Sequence, residues 1–247
     1  MRHIIRGLFN ASENINEVAP DVYQDGIDGV ILTNSKHENW CFYKSHAAQE
    51  LFEYQGNTVV NDLIIYIIRN PLDVFCSQLN YVLSGFSPDQ DGSQFGCESI
   101  DEAKRTHLLD DYFSAFLVFG TLMPFFESAR SWMQNTQYWV EKSRTQNNVI
   151  VVKYEDMINQ LSLAMKPVLT YVGKTQADLF IAAKIANANS NDDGKFFWKK
   201  SEGTYREYLS KEQIERFVST YSNSLKLSGY ENYFINNEVF NTAPDLD

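Results

Sequence analysis

The sequence predicts an α/β fold in which helices cover both faces of a parallel sheet. Short apolar runs alternate with segments of helical character, and this order is typical of a parallel α/β sheet. The runs are continuously apolar, as expected of strands buried on both faces. At 247 residues, with 44% hydrophobic and 14% aromatic residues, the chain can form one large domain with a substantial core. We therefore predict a single domain over residues 1–247, with an acidic tail at 234–247.

The predicted elements begin with a helix. In "MRHIIRGLF", Ile4, Ile5 and Leu8 have the spacing of one helix face. Four apolar runs then predict buried strands: "GVILTN" around Ile31, "WCFYKS" over residues 40–44, "LIIYII" over 63–68 and "NVIVVKYE" over 149–154.

Capping signals predict four further helices. Asn70 caps a helix that begins at Pro71, and Ser99 with Glu102 has the spacing of a capping box. The other two helices are predicted over residues 156–173 and 210–229, each ending at a glycine. Two long loops are predicted at residues 84–96 and 187–203.

Composition excludes several classes of function. The net charge of −11 argues against general binding to nucleic acid or to an anionic membrane surface. Three cysteines without CxxC spacing suggest neither a disulfide framework nor a zinc site, and a reducing cytoplasm is the expected compartment. The longest apolar stretch, residues 113–126, is too short to span a membrane and is predicted to be a core helix.

A first pair of candidate site residues follows the strand at 63–68. Ligands of open α/β sheets bind beyond the carboxyl ends of the strands, where Arg69 lies. Ser77 recurs on the same helix face as Asn70, so a guanidinium and a hydroxyl could hold a phosphate near a helix N-terminus. The alternative is an arginine in a surface salt bridge and a serine that is merely exposed.

Two other strand ends carry polar residues. Lys44 and His46 lie two residues apart, so an anion-stabilising group could stand beside a general base. Alternatively, they are a solvated lysine and a histidine that bonds to the next helix, and taken alone this interpretation is favoured. Tyr154 could stack on a flat ligand or pack in the core, while Glu155 and Asp156 are interpreted as a helix start.

Taken together, "FYKSHAA", "IIYIIRNPLDVFCSQLNY", "NVIVVKYEDMINQ" and "WKKSEGTYREYLSKEQIERF" resemble the cytosolic and bacterial sulfotransferases. The motifs occur in the order of that family and cover the chain to about residue 231. The resemblance implies a three-layer α/β/α fold similar to that of P-loop NTPases. It also implies transfer of a sulfuryl group from 3′-phosphoadenosine 5′-phosphosulfate (PAPS) to a small-molecule, lipid or sugar acceptor, without a metal.

The resemblance also implies a role for each matching residue. His46 is expected to be the general base, and Lys44 is expected to stabilise charge on the transferring or leaving group. Arg69 and Ser77 are expected to hold the 3′-phosphate, and Tyr154 to contact the adenine. Lys199 and Lys200 are expected to close over the same phosphate.

The chain departs from the family at three places. Trp198 and Lys200 stand where the family has an arginine and a glycine, and Asn135 stands where it has a histidine. None of the 247 residues matches the Pro-Lys-Ser-Gly-type loop that holds the 5′-phosphosulfate. The chain is therefore expected to start just after that loop, by a misplaced start, truncation or genuine loss, leaving unpaired strand edges and exposed apolar surface.

The sequence leaves two other hypotheses open. The chain could be a non-catalytic or truncated relative that binds nucleotide weakly or serves as an interaction domain. A small-molecule kinase ranks last, because the sequence has neither a glycine-rich phosphate loop nor acidic metal ligands at strand ends. The acceptor and the oligomeric state are open.

Overall fold

The structure is a computed structural model and describes residues 1–9, 21–22, 36–37, 40–45, 51–54, 57–83, 96–122, 131–188 and 201–236. Its strands are β1 (Asp21–Val22), β2 (Lys36–His37), β3 (Trp40–Cys41), β4 (Lys44–Ser45), β5 (Leu51–Tyr54), β6 (Asn57–Val60), β7 (Ile64–Ile68) and β8 (Val149–Lys153).

Helices account for most of the rest. They are α1 (Arg2–Leu8), α2 (Pro71–Leu83), α3 (Ile100–Arg105), α4 (Leu108–Phe119), α5 (Trp132–Ser143), α6 (Tyr154–Asn159), α7 (Leu161–Val172), α8 (Gln176–Ala188), α9 (Lys211–Thr220), α10 (Ser222–Ser228) and α11 (Glu231–Asn236). A 3₁₀ turn covers Thr204–Glu207. Within these described ranges, no helix is both long and apolar enough to cross a membrane.

The parallel pair β7–β8 positions the site, and helices cover both of its faces. Tyr66 and Ile68 face a cluster built by α2, α4, α5 and α9, whereas Ile65 and Val152 face a cluster built by α1, α7 and α8. The strands pair in register from Ile64–Val149 to Ile68–Lys153. The predicted α/β class and the covering of both faces are thus confirmed.

The first helix also forms as predicted, with Ile4, Ile5 and Leu8 buried. It crosses α8 so closely that a Cβ atom on Gly7 would lie 2.5 Å from the Cα atom of Ala182. Glycine is therefore required at this position by helix–helix contact.

The prediction that parallel strands alternate throughout with helices is wrong for residues 36–60. The segment 40–44 is not one strand, because β3 pairs antiparallel with β2 and β4 pairs parallel with β1. Phe42 lies between β3 and β4, and the centroid of its ring is 4.9 Å from that of Phe9. The apolar character of Phe42 therefore reflects a contact with the C-terminal end of α1. In addition, β5 and β6 form an antiparallel pair where a helix was expected. The strand predicted around Ile31 lies outside the described residues.

Three predicted helices are each interrupted. The helix after Ser99 breaks at His107, whose φ is 63°, to give α3 and α4. The helix predicted from Asp156 begins earlier, at Tyr154, and breaks at Gln160 before ending at Gly173. The helix after Ser210 breaks at Tyr221.

The capping predictions have mixed outcomes. Ser210 and Gln213 form the full capping box. At Ser99 only half of the box forms, because the Glu102 carboxylate accepts from the backbone N–H of Glu98. The predicted loops at 84–96 and 187–203 fall largely outside the described residues, as does most of the acidic tail.

Candidate nucleotide-binding site

Arg69 and Tyr154 come together at the carboxyl edge of the β7–β8 pair. Each residue directly follows the last residue of its strand, and Ile68 is opposite Lys153 in the parallel register. The guanidinium carbon of Arg69 lies 4.5 Å from the centroid of the Tyr154 ring. Parallel pairing thus brings together two residues that are distant in sequence, and the half-buried Arg69 stacks on an aromatic ring instead of extending into solvent.

The Arg69 guanidinium keeps hydrogen-bonding capacity. Its Nη2 donates to the carbonyl oxygen of Ser201 at 3.1 Å. The backbone carbonyl oxygen of Arg69 accepts from Trp132 Nε1 at 3.0 Å. The buried Nε atom has no hydrogen-bond partner among the described residues. A buried guanidinium N–H without a partner is the feature expected of an arginine that binds an anion.

The buried carboxylate of Glu155 stabilises the turn that leads from Arg69 into α2. The Asn70 side chain caps α2 by accepting from the backbone N–H groups of Leu72, at 2.9 Å, and Asp73, at 3.3 Å, as the sequence predicted. The Asn70 N–H donates to Glu155 Oε1 at 2.7 Å, and the hydroxyl of Tyr230 donates to Glu155 Oε2 at 2.6 Å. Glu155 thus lies in the first turn of α6 and also binds the residue that precedes α2, in agreement with its interpretation as a helix-start residue.

Asp73 links α2 to the segment 201–205. Its Oδ2 accepts from Gly203 N at 2.7 Å, and its Oδ1 accepts from Tyr205 N at 3.1 Å. Burial raises the pKa of Asp73 above its usual value, while these two hydrogen bonds and the positive charge of Arg69 oppose the rise. Burial likewise raises the pKa of Tyr154, and Arg69 opposes this shift too.

The remaining predicted residues divide into two groups. Ser77 is half-buried on α2, one helical turn beyond Asp73, and Lys44 is half-buried on β4, in the other parallel pair. His46, Lys199 and Lys200 lie outside the described residues. In the part of the chain that the structure describes, no group of three or more histidine, cysteine or acidic side chains could hold a metal ion.

The sequence predicts no role for Asp73, Ser201 or Trp132. No local signal indicates that the segment 201–205 folds back onto α2, since more than one hundred residues separate them.

The fold is of the α/β class with polar residues at its strand ends, and comparison with known proteins identifies the family. Residues 27–229 match the family model described as "Sulfotransferase domain". The chain therefore belongs to the sulfotransferase family, which confirms the resemblance seen in the sequence.

Two curated relatives come from Arabidopsis thaliana. Cytosolic sulfotransferase 14 is 25% identical over 189 residues, which cover 67% of this chain and 49% of the relative. Cytosolic sulfotransferase 15 is 24% identical over 188 residues, covering 67% of this chain and 47% of the relative. The matched region thus spans about half the length of these curated relatives.

Two solved structures share the fold. Retinol dehydratase, in complex with androsterone and the inactive cofactor PAP, superposes with a TM-score of 0.57 at 12% identity, covering 91% of this chain and 76% of that one. Mouse sulfotransferase SULT7A1, complexed with PAP, gives a TM-score of 0.50 at 18% identity, covering 70% and 62%. At these identities the likeness establishes the fold.

Proposed function

We propose that this chain binds PAPS and transfers its sulfuryl group to a hydroxyl or amine of a small-molecule, lipid or sugar acceptor. The observation that carries the proposal is the Arg69 guanidinium, which stacks on Tyr154 and keeps a buried Nε without a partner among the described residues. This arrangement suits a phosphate beside an aromatic base, since the ring covers one face of the guanidinium while the N–H groups project from its edge.

The residues divide between binding and chemistry. Arg69 and Ser77 would hold the 3′-phosphate, Tyr154 would contact the adenine, and Lys199 and Lys200 would add positive charge. When bound, PAPS supplies the sulfuryl group. His46 would accept the proton of the attacking hydroxyl or amine, and Lys44 would stabilise negative charge on the phosphate that leaves.

The proposed reaction forms one bond to sulfur, breaks another and includes no metal. The bond between sulfur and the acceptor oxygen or nitrogen forms as the sulfur–oxygen bond to the 5′-phosphate breaks, and 3′,5′-adenosine bisphosphate (PAP) leaves. As in phosphoryl transfer, positioning and charge stabilisation would supply most of the rate enhancement.

Calorimetric titration with two nucleotides tests the binding half of the proposal. PAP and 5′-AMP share the adenine and the 5′-phosphate, but only PAP has the 3′-phosphate. We expect the 247-residue chain to bind PAP at least tenfold more tightly than AMP, the size of one charged hydrogen bond. Arg69→Ala is expected to remove that preference.

The matched control is Arg144→Ala, because Arg144 is exposed and, within the described ranges, donates only a long hydrogen bond, 3.5 Å, to the Leu227 carbonyl oxygen. It should leave the preference unchanged. Failure to bind PAP at millimolar concentration would overturn the proposal. PAP binding without release of PAP from PAPS in the presence of acceptors would instead support a non-catalytic nucleotide-binding domain.

A further inference from the structure

Asp73 uses both oxygens of its carboxylate to hold a distant backbone segment. The side chain is 1% exposed, and each oxygen accepts one backbone N–H, from Gly203 at 2.7 Å and from Tyr205 at 3.1 Å. Hydrogen bonds from backbone N–H groups to an ionised carboxylate are stronger than those between neutral groups. Asp73 therefore ties α2, which begins next to Arg69, to the segment 201–205.

The segment 201–205 in turn contacts the Arg69 guanidinium. Its first residue, Ser201, presents the carbonyl oxygen that accepts from Arg69 Nη2 at 3.1 Å. The Ser201 hydroxyl lies 3.0 Å from the Thr204 hydroxyl, which closes the turn locally. Gly203 adopts a φ of 75°, a conformation that glycine reaches without strain. The backbone carbonyl that orients Arg69 is thus fixed by the turn and by Asp73.

We propose that Asp73 is a positioning residue for the nucleotide: by holding the segment 201–205, it places the Ser201 carbonyl that orients the Arg69 guanidinium toward the 3′-phosphate. This inference rests on the proposed function, since it assigns Arg69 the role of binding that phosphate.

Because the Asp73 carboxylate accepts two backbone N–H groups, replacing it by an amide tests its role. In Asp73→Asn the side chain keeps its size, but one of its two terminal atoms becomes a donor. With both backbone N–H groups in place, a donor would face a donor at Gly203 or at Tyr205, so one end of the segment would be released. Arg69, Ser77 and Tyr154 would all still be present.

The experiment measures the ratio of the dissociation constants for 5′-AMP and PAP in the 247-residue chain. Asp73→Asn is expected to lower this ratio about tenfold by weakening PAP binding while leaving AMP binding nearly unchanged. The matched control is Asp178→Asn, because Asp178 also accepts a backbone N–H, that of Thr175 at 2.7 Å, but caps α8. That variant should keep the wild-type ratio.

The outcomes separate this inference from the proposed function. A wild-type chain that does not distinguish PAP from AMP overturns the role of Arg69, and this inference with it. A wild-type preference that survives intact in Asp73→Asn overturns only the positioning role. Equal losses for both nucleotides in an Asp73→Asn chain that folds would also overturn it.

A second variant keeps the inference testable if Asp73→Asn does not fold. Gly203→Ala leaves the carboxylate intact and strains the same turn from the other side, because a Cβ atom at this φ is unfavourable. That Cβ atom would also lie 2.3 Å from Nη1 of Arg206, an exposed side chain that can move away. We expect the AMP-to-PAP ratio to fall as in Asp73→Asn. An unchanged ratio in a folded Gly203→Ala chain would refute the positioning role.

Discussion

The guanidinium carbon of Arg69 lies 4.5 Å from the centre of the Tyr154 ring, because both residues leave parallel strands at the same edge of the sheet. Neither residue is unusual in isolation, since arginines and tyrosines commonly follow buried strands. Their contact brings together a cation, an aromatic ring and an N–H group that has no partner among the described residues, and this is the combination on which the proposed nucleotide site rests.

The first prediction concerns His46. In any form of the protein that turns over PAPS, His46→Ala should lower the rate by about 10²-fold or more, the usual scale for loss of a general base. PAP affinity should change little, because His46 is assigned to the acceptor proton. The measurement is the rate of PAP formation with a saturating acceptor.

The control for His46 is His107→Asn. His107 is exposed and has a φ of 63°, which asparagine tolerates, so the substitution removes an imidazole without strain. Its turnover should match that of the wild-type protein. If His46→Ala also matched the wild-type rate, the general-base assignment would be wrong.

The second prediction concerns the buried Tyr230–Glu155 hydrogen bond. Tyr230→Phe removes the donor to Glu155 Oε2 and leaves a buried carboxylate oxygen with one fewer partner. We expect the free energy of unfolding to fall by about 2–3 kcal/mol, because hydrogen bonds to charged groups are stronger than hydrogen bonds to neutral groups. Urea denaturation monitored by circular dichroism measures this change.

Tyr221→Phe is the matched comparison, because the Tyr221 hydroxyl donates to the neutral carbonyl oxygen of Leu117. It should cost only about 1 kcal/mol. Equal losses in the two variants would show that the charge of Glu155 does not strengthen its bond to Tyr230.

The third prediction follows from the raised pKa of Asp73. The native protein then binds more protons than the unfolded chain between the ordinary pKa of 3.8 and the native pKa. The stabilising contribution of Asp73 is therefore full below the unfolded pKa and is lost as pH rises through the native pKa. We expect the wild-type free energy of unfolding, relative to that of Asp73→Asn, to decrease across this window.

The measurement is a series of urea denaturations of both proteins from below pH 3.8 to neutral pH. Arg69 and Glu155 face Asp73 in both proteins, and burial raises the pKa values of the nearby Tyr154, Tyr205 and Tyr233. The tyrosines consequently stay neutral throughout the window. A relative stability that increased with pH would show that the hydrogen bonds and Arg69 outweigh burial.

Local sequence signals predicted much of the fold around the site. The apolar run ending at Ile68, the Asn70 cap and the following α2 depend on neighbouring residues, and each formed at or within one residue of its predicted position. The four separated motifs also indicated the sulfotransferase family, which the match over residues 27–229 confirms. The roles assigned to Lys44, His46, Arg69, Ser77, Tyr154, Lys199 and Lys200 remain predictions.

What the sequence by itself determined, therefore, is the class of fold, the family and the two strands whose ends carry Arg69 and Tyr154. The tertiary structure decided which distant groups meet there: the Ser201 carbonyl on Arg69, the Trp132 indole on the Arg69 backbone, and the Gly203 and Tyr205 amides on Asp73. Helix caps and apolar runs act over a few residues, so they can be recognised in the sequence. Hydrogen bonds between a side chain and a backbone group more than sixty residues away depend on how the elements pack, and backbone groups carry no residue-specific signal.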